Sequence, residues 1–545
     1  MHSEYLTADY IIVGGGSAGC VLANRLSEDP RNKVLLLEAG GEDWNPLIHI
    51  PAGYIKTMVN PAVNWMFETE PEPDTGNRPI AFPRGKVLGG SSAINAMLYV
   101  RGQTQDYDRW AEAGNPGWSA ADVLPYFKKA ESCQVDEILN GPSADHRGTD
   151  GPLVVNKVQS TYPVLDRLMS AAAGLGYPTT TDYNGPDQEG LGYSQVTQKN
   201  GLRFSAKRAY LSPVRRRPNL RVITHAMVTE LTFSDPVKVD GVRFTRRGKI
   251  MTAKAGREVI LAAGAIQSPQ ILELSGVGQP DRLSGFGIGV KQALSGVGEN
   301  LADHYISRLS WRLNAPLSLN ANARGMGLVR EVLRFVLTRK GTLTMPAAIV
   351  LGFVKSSSDL PVPDIQYHIA NASFSDPAKR IFHDFPGLTI GPCQLRPKSR
   401  GTVHITSADP LRAPAISPNF LADEEDQRIH VAGMKIARAI MQSDEMSAVV
   451  DHELTPGAEA ASDEALLDYA RATGVTLYHP VSTCRMGPHP SHGDVVDSSL
   501  RVHGIAGLRV VDASIMPDLV SGNTNAPVIM IAEKAADIIR SEAVG

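Results

Sequence analysis

Glycines at positions 14, 16 and 19 and a carboxylate at position 38 form the densest chemical pattern in the chain. Spaced as G-x-G-x-x-G, Gly14 permits a tight turn, Gly16 lets the backbone approach a pyrophosphate, and Gly19 lets a helix pack on the strand before it. Ser17 and Ala18 open that helix, whose N-terminus faces the phosphates. Glu38, followed by Ala39, is placed to accept hydrogen bonds from both ribose hydroxyls, and no arginine beside it favours a 2′-phosphate. This is chemistry for holding a dinucleotide. Gly15, Ser17 and Gly19 also spell the G-x-S-x-G of a hydrolase nucleophile elbow, but that elbow needs earlier strands to build its oxyanion-hole loop, and too few residues precede it. His489 and His492 sit in a proline-containing loop with Asp494 as the acid close by, which reads as surface rather than a metal site. The four cysteines, Cys20, Cys133, Cys393 and Cys484, lack metal-ligand spacing and read as reduced, mostly buried thiols.

The elements that must position these residues follow from periodicity. Tyr10–Val13 and Lys33–Leu37 are apolar runs of the kind buried parallel strands show, with a helix between them. Gly41 to Ile80 has few periodic elements and leads to the glycine turn Gly85–Ser92. Ala226 to Ala263 reads as three strands, with Asp240-Gly241 as a hairpin signal. From about Tyr305 the runs Ile365–Ala370, Leu388–Leu395 and Thr402–Ile405 suggest a separate sheet. Near the end, LRVVDASIMP is a strand closing on an acid, and Val528–Arg540 is an amphipathic helix with Pro527 just ahead of it. The expected fold is α/β (α+β): a discontinuous Rossmann-like domain with an inserted domain built on an antiparallel sheet with helices.

A chain of 545 residues has ample interior for a large cofactor. A net charge of -3 without long runs of one sign argues against nucleic acid, and the clusters Arg215–Arg217 and Arg246–Lys249 read as solvated faces. No apolar run is long enough to span a bilayer, and the start MHSEYLTADY carries no export signal. The expected location is the cytoplasm, with peripheral membrane contact left open.

Longer motifs carry more specificity. Gly85–Asn95 (GKVLGGSSAIN), continuing to Tyr99 and Gly102, resembles the first signature of the glucose-methanol-choline (GMC) oxidoreductases. Gly264–Pro269, through Ser275-Gly276-Val277-Gly278, resembles the second; GVGENLADH at Gly296–His304, VVDASIMP at Val510–Pro517 and GNTNAP at Gly522–Pro527 extend the resemblance over essentially the whole chain.

The resemblance implies FAD and an alcohol as hydride donor. It implies a cofactor domain from 1–155, 208–304 and 476–545, and a substrate domain from 156–207 and 305–475. Arg84, Val87, Gly89, Gly90, Ser91, Asn95, Ala96, Met97, Ala263, Gly264, Asp512, Ala513, Asn525 and Pro527 should then lie along FAD, and Val228 should meet its adenine through the backbone. Relatives that attach flavin covalently use a histidine in the loop where Ala93 stands here, so noncovalent FAD is expected. His479 matches the family's base and Asn523 its partner; a neutral imidazole accepts the hydroxyl proton while the amide holds the oxygen. Ile349 takes the place where choline-oxidising relatives carry a glutamate, and with Tyr478 it should line the substrate. An aliphatic wall there disfavours a cation and favours an uncharged primary alcohol. The TLYHPVSTCRMG form resembles bacterial alcohol and sorbose-type dehydrogenases, although oxidases share nearly all of it. A quinone-like acceptor is the first expectation and O2 the second; choline oxidation and a FAD-containing hydroxynitrile lyase are more distant alternatives.

Overall fold

The computed structural model describes residues 5–314, 318–376 and 381–543. The opening strand, Tyr5–Val13, lies at the middle of a seven-stranded sheet. Ile11 and Ile12 are buried on both faces, as a central parallel strand requires. On one side it pairs in parallel with Val34–Leu37, running from Tyr10↔Val34 to Val13↔Leu37; on the other it pairs with Lys249–Leu261, from Tyr5↔Thr252 to Val13↔Leu261. Leu220–Ile223 extends one edge in parallel, Lys238–Arg246 and Met227–Asp235 extend the other antiparallel, and Leu508–Val510 adds beside Lys249–Leu261. Segments far apart in sequence therefore share one sheet.

The second sheet has eight strands, all paired antiparallel. Its main path runs Val450–Thr455, Leu309–Leu313, Gly387–Gln394, Ile365–Ala370, Val350–Val354 and Gly190–Tyr193, with Tyr305–Ile306 and Val475–Thr476 joined at one side. The Glu424–Gln442 helix covers it with Ile429, Met434, Ala437 and Ile440, which recur at helical spacing on one face. Each sheet carries its own apolar core.

Three expectations change. Asp240-Gly241 lies inside Lys238–Arg246 opposite Thr232, not at a turn; the chain reverses at Pro236-Val237, and Gly241 is there because a Cβ would collide with the Ala253 carbonyl. Thr402–His404 pairs with Ala415–Ser417 in a two-stranded ribbon rather than joining the large sheet. The last helix starts at Asn525, so Pro527 sits within its first turn, where no intrahelical N–H is owed.

Candidate active site

Two sets of groups make up the candidate site. The first is a backbone cradle. The Ser17–Leu26 helix is preceded by Gly16, which provides no side-chain cap, so its first N–H groups stay available to an anion. Gly14 adopts φ +103°, and a Cβ there would stand 2.5 Å from the Ala262 carbonyl, placing it against Ala263. Gly90, at φ +52°, approaches Gly16 so closely that a Cβ would come 2.6 Å from the Gly16 Cα. Gly89 N–H donates to the Gly15 carbonyl at 2.8 Å, and Ser17 Oγ donates to Asn525 Oδ1 at 2.8 Å. The Glu38 carboxylate accepts from Gly15 N–H and Gly40 N–H, both at 2.7 Å, which leaves one lone pair on each oxygen. Burial pushes its pKa up to about 7, and those two N–H groups oppose the rise.

The second set is built on the short ladder Tyr305↔Thr476, which brings His304 beside the loop carrying His479. Asp303 pins both histidines: Oδ1 accepts from His304 N–H at 2.8 Å and from His479 N–H at 2.7 Å, while Oδ2 accepts from the Thr476 hydroxyl. Burial raises the Asp303 carboxyl to about 6. Arg84, from the glycine turn, donates to the Tyr478 carbonyl at 2.7 Å, and Tyr478 takes φ +70°, a left-handed conformation costly for a tyrosine.

The proton positions follow from what each partner can do. His304 Nε2 lies 2.9 Å from the Leu395 carbonyl, which can only accept, so Nε2 carries the hydrogen and Nδ1 the lone pair. His304 Nδ1 faces His479 Nδ1 at 2.9 Å, so His479 donates from Nδ1 and keeps its lone pair on Nε2. Asn523 Nδ2 donates to that Nε2 at 3.0 Å, and Gln366 Nε2 fixes the amide by donating to Asn523 Oδ1 at 3.2 Å. Burial first, then the rings of His304 and His368 and the charge of Arg84, hold the His479 pKa well below the usual histidine value; burial takes His304 down to about 4. The result is a neutral base with its lone pair aimed at an amide donor.

Two sequence models described as GMC oxidoreductase match residues 8–306 and 397–532. The chain is 44% identical over 536 residues to alcohol dehydrogenase [acceptor] of Pseudomonas putida, covering 97% of this chain and 95% of that one. The chain belongs to the GMC oxidoreductase family. Mitochondrial choline dehydrogenase of Mus musculus is 39% identical over 540 residues, covering 97% of this chain and 89% of that one. A solved FAD-dependent oxidoreductase from Chaetomium thermophilum superposes with a TM-score of 0.88 at 27% identity, covering 98% of this chain and 99% of that one. As a GMC oxidoreductase the chain is an FAD-dependent enzyme, and the cradle fits that cofactor: Gly90 can approach Gly16 this closely only without a Cβ, the N–H groups that open the Ser17–Leu26 helix are uncapped, and each Glu38 carboxylate oxygen keeps a lone pair for a ribose.

The expected residues distribute unevenly. Gly14, Gly16, Ser17, Gly19, Glu38, Gly89, Gly90, Ala263, Gly264 and Asn525 converge on the cradle, and His479, Asn523, Tyr478 and Arg84 on the other set. The Asp512 carboxylate is saturated by Gly264 N–H, Ser268 Oγ, and the N–H and Oγ of Ser514, which leaves the side chain no lone pair for a ligand. Asn95 Oδ1 accepts from Arg203 and from Met97 N–H. Val228 is buried in the Met227–Asp235 strand opposite Phe244, next to where Ala226 N–H meets the Glu38 carbonyl. Ile349 is buried, donating its N–H to Ile369 and accepting from Ser194. His489 and His492 are exposed, while Asp494 is engaged by Arg485. Sequence reasoning missed His304, Gln366 and His368. His304 ends the GVGENLADH motif, and Gln366 and His368 are polar residues two apart in a strand, hence on one face.

Proposed function

We propose that this chain oxidises an uncharged primary alcohol to its aldehyde, with His479 as the base, and passes the electrons to a quinone-like acceptor. The observation that carries the reading is the relay Leu395–His304–His479–Asn523, which leaves His479 Nε2 as a buried proton acceptor. A hydroxyl that displaces the direct His479–Asn523 bond donates to Nε2 and accepts from the amide, so deprotonation and oxygen positioning share one locus. When bound, FAD supplies the hydride acceptor at N5 of its ring. Gln366 Oε1 and His368 Nε2 are buried on the same strand face without a hydrogen-bond partner among the described residues, which suits a polar group in the neighbouring space. Opposite them, Phe353 pairs with Gln366 and Leu351 with His368, so the adjacent strand is apolar; with Ile349 buried just ahead of it, that strand brings no carboxylate to offset desolvation of a cation.

The name of the Pseudomonas putida relative supports a dehydrogenase over an oxidase. On this reading residues 1–155, 208–304 and 476–545 hold FAD and 156–207 with 305–475 hold the alcohol; Ala93, buried in the glycine turn, keeps FAD noncovalent. The test is anaerobic flavin bleaching by a panel of neutral alcohols and choline, followed by oxygen. Bleaching by neutral primary alcohols, with slow reoxidation by oxygen and fast reoxidation by a quinone-like dye, supports the proposal. Preference for choline, or rapid peroxide formation, overturns the substrate or the acceptor respectively. Yellow colour in an acid precipitate would overturn noncovalent attachment.

A further inference from the structure

The Gly325–Thr338 helix is turned inside out. Of its residues Glu331 and Phe335 are buried, and the carboxylate of Glu331 accepts from Thr342 N–H at 2.8 Å. Spaced at 100° per residue, Met326, Val329, Leu333, Val336 and Leu337 share the opposite face, and they are 81%, 52%, 57%, 59% and 80% exposed. A soluble surface does not ordinarily present a contiguous aliphatic stripe with its one acid facing inward. Arg330 and Arg334 flank the stripe on one side, and Arg324, Arg339 and Lys340 stand at its ends, all exposed. In a chain whose net charge is -3, this segment collects five basic side chains against one inward acid.

We propose that this helix docks the protein on an anionic lipid bilayer, lying in the interface with its aliphatic face among the acyl chains and its arginines at the headgroups. Apolar insertion and attraction to anionic lipid reinforce each other in that geometry, and long basic side chains keep their stems apolar while their charges reach water and phosphate. A second copy of the chain is the poorer occupant, because a two-fold contact would set this basic segment against itself. Within the chain the helix packs on Leu319–Ala323 and Thr342–Thr344 through Glu331 and Phe335, and its aliphatic face is left uncovered. No helix among the described residues is long and apolar enough to cross a membrane, so the contact is peripheral. The inference rests on this surface alone, independent of the alcohol chemistry, and it deepens the choice of a quinone-like acceptor by placing the protein where lipid-soluble acceptors reside.

The test is flotation of the flavin-loaded enzyme with vesicles of phosphatidylcholine alone or mixed with phosphatidylglycerol. The unmodified enzyme should float with the anionic vesicles, less so as salt is raised. The double variant R330Q/K340Q, which leaves the Arg334–Glu331 ion pair in place, should lower partition about 30-fold, and V336N/L337N roughly 10-fold or more. Both should keep the melting temperature, flavin content and dye-coupled turnover of the parent. Enzyme that stays with the soluble fraction at both compositions, or variants that float as well as the parent, would overturn the proposal. So would self-association abolished by V336N/L337N without vesicle binding, which makes the face a contact between copies, or capture by an acidic protein in place of lipid.

Discussion

Replacing His304 by leucine removes the acceptor for the His479 Nδ1 proton while keeping a buried apolar side chain of similar length. Leaving that buried donor unpaired costs about 1–3 kcal/mol. The competing tautomer, protonated on Nε2, escapes this cost but points its hydrogen at the Asn523 amide donor, and turning that amide round breaks the bond from Gln366. The productive tautomer therefore loses up to roughly 5- to 150-fold in relative population. Stopped-flow flavin reduction should slow by a factor within that range, with the alcohol's KM changed much less, because the oxygen's partner Asn523 remains. His304→Gln returns an acceptor oxygen and should recover most of the rate, which a purely structural role for His304 would not produce. Unchanged reduction in His304→Leu, or a glutamine variant no faster than leucine, would refute the relay.

Gly90→Ala places a Cβ against the Gly16 Cα at a backbone conformation that alanine avoids, so the purified protein should carry little flavin, read from its absorbance ratio against the parent. In Glu38→Gln an amide NH2 must face Gly15 N–H or Gly40 N–H; FAD affinity by fluorescence titration should fall roughly 5- to 150-fold, and equal affinity would remove Glu38 from the site. Burial holds His430 at about 4 against an ordinary 6.5. Above pH 6.5 neither folded nor unfolded chain binds that proton; between 6.5 and 4 only the unfolded chain does, so stability falls by up to about 1.4 kcal/mol per pH unit. His430→Gln should shed that contribution, and its melting temperature relative to the parent should rise as pH falls from 6.5 to 4. Asp303 and Glu38, raised by burial, tilt both proteins the opposite way and cancel in the comparison. A difference independent of pH would contradict it.

Local periodicity made the first sheet legible. The runs at Tyr10–Val13 and Lys33–Leu37 hold only if buried on both faces, and the glycines between them leave few alternatives. Asp240-Gly241 misled because the same dipeptide serves a turn by its φ freedom and a strand by its missing Cβ, and only the partner strand, with the Ala253 carbonyl beneath Gly241, decides which. Thr402–His404 alternates like any strand, yet nothing local says which neighbour it takes. At the site, the His479–Asn523 pair was legible from the motifs that contain them. His304 was not, since its role depends on one antiparallel register, Tyr305↔Thr476, formed by residues far apart in sequence. Gln366 and His368 gave a weak signal as polar residues two apart on one face of a strand. The outward apolar face of the Gly325–Thr338 helix was hidden for the converse reason: periodicity shows that a helix is amphipathic but not which face meets the protein.

If His479 Nε2 takes the hydroxyl proton, anaerobic flavin reduction in His479→Ala, with FAD bound at the parent's occupancy, reads the loss of that base. Loss of the base should slow reduction by an uncharged primary alcohol roughly 10²-fold or more. Reduction at near the parent's rate, with flavin content unchanged, would contradict the account.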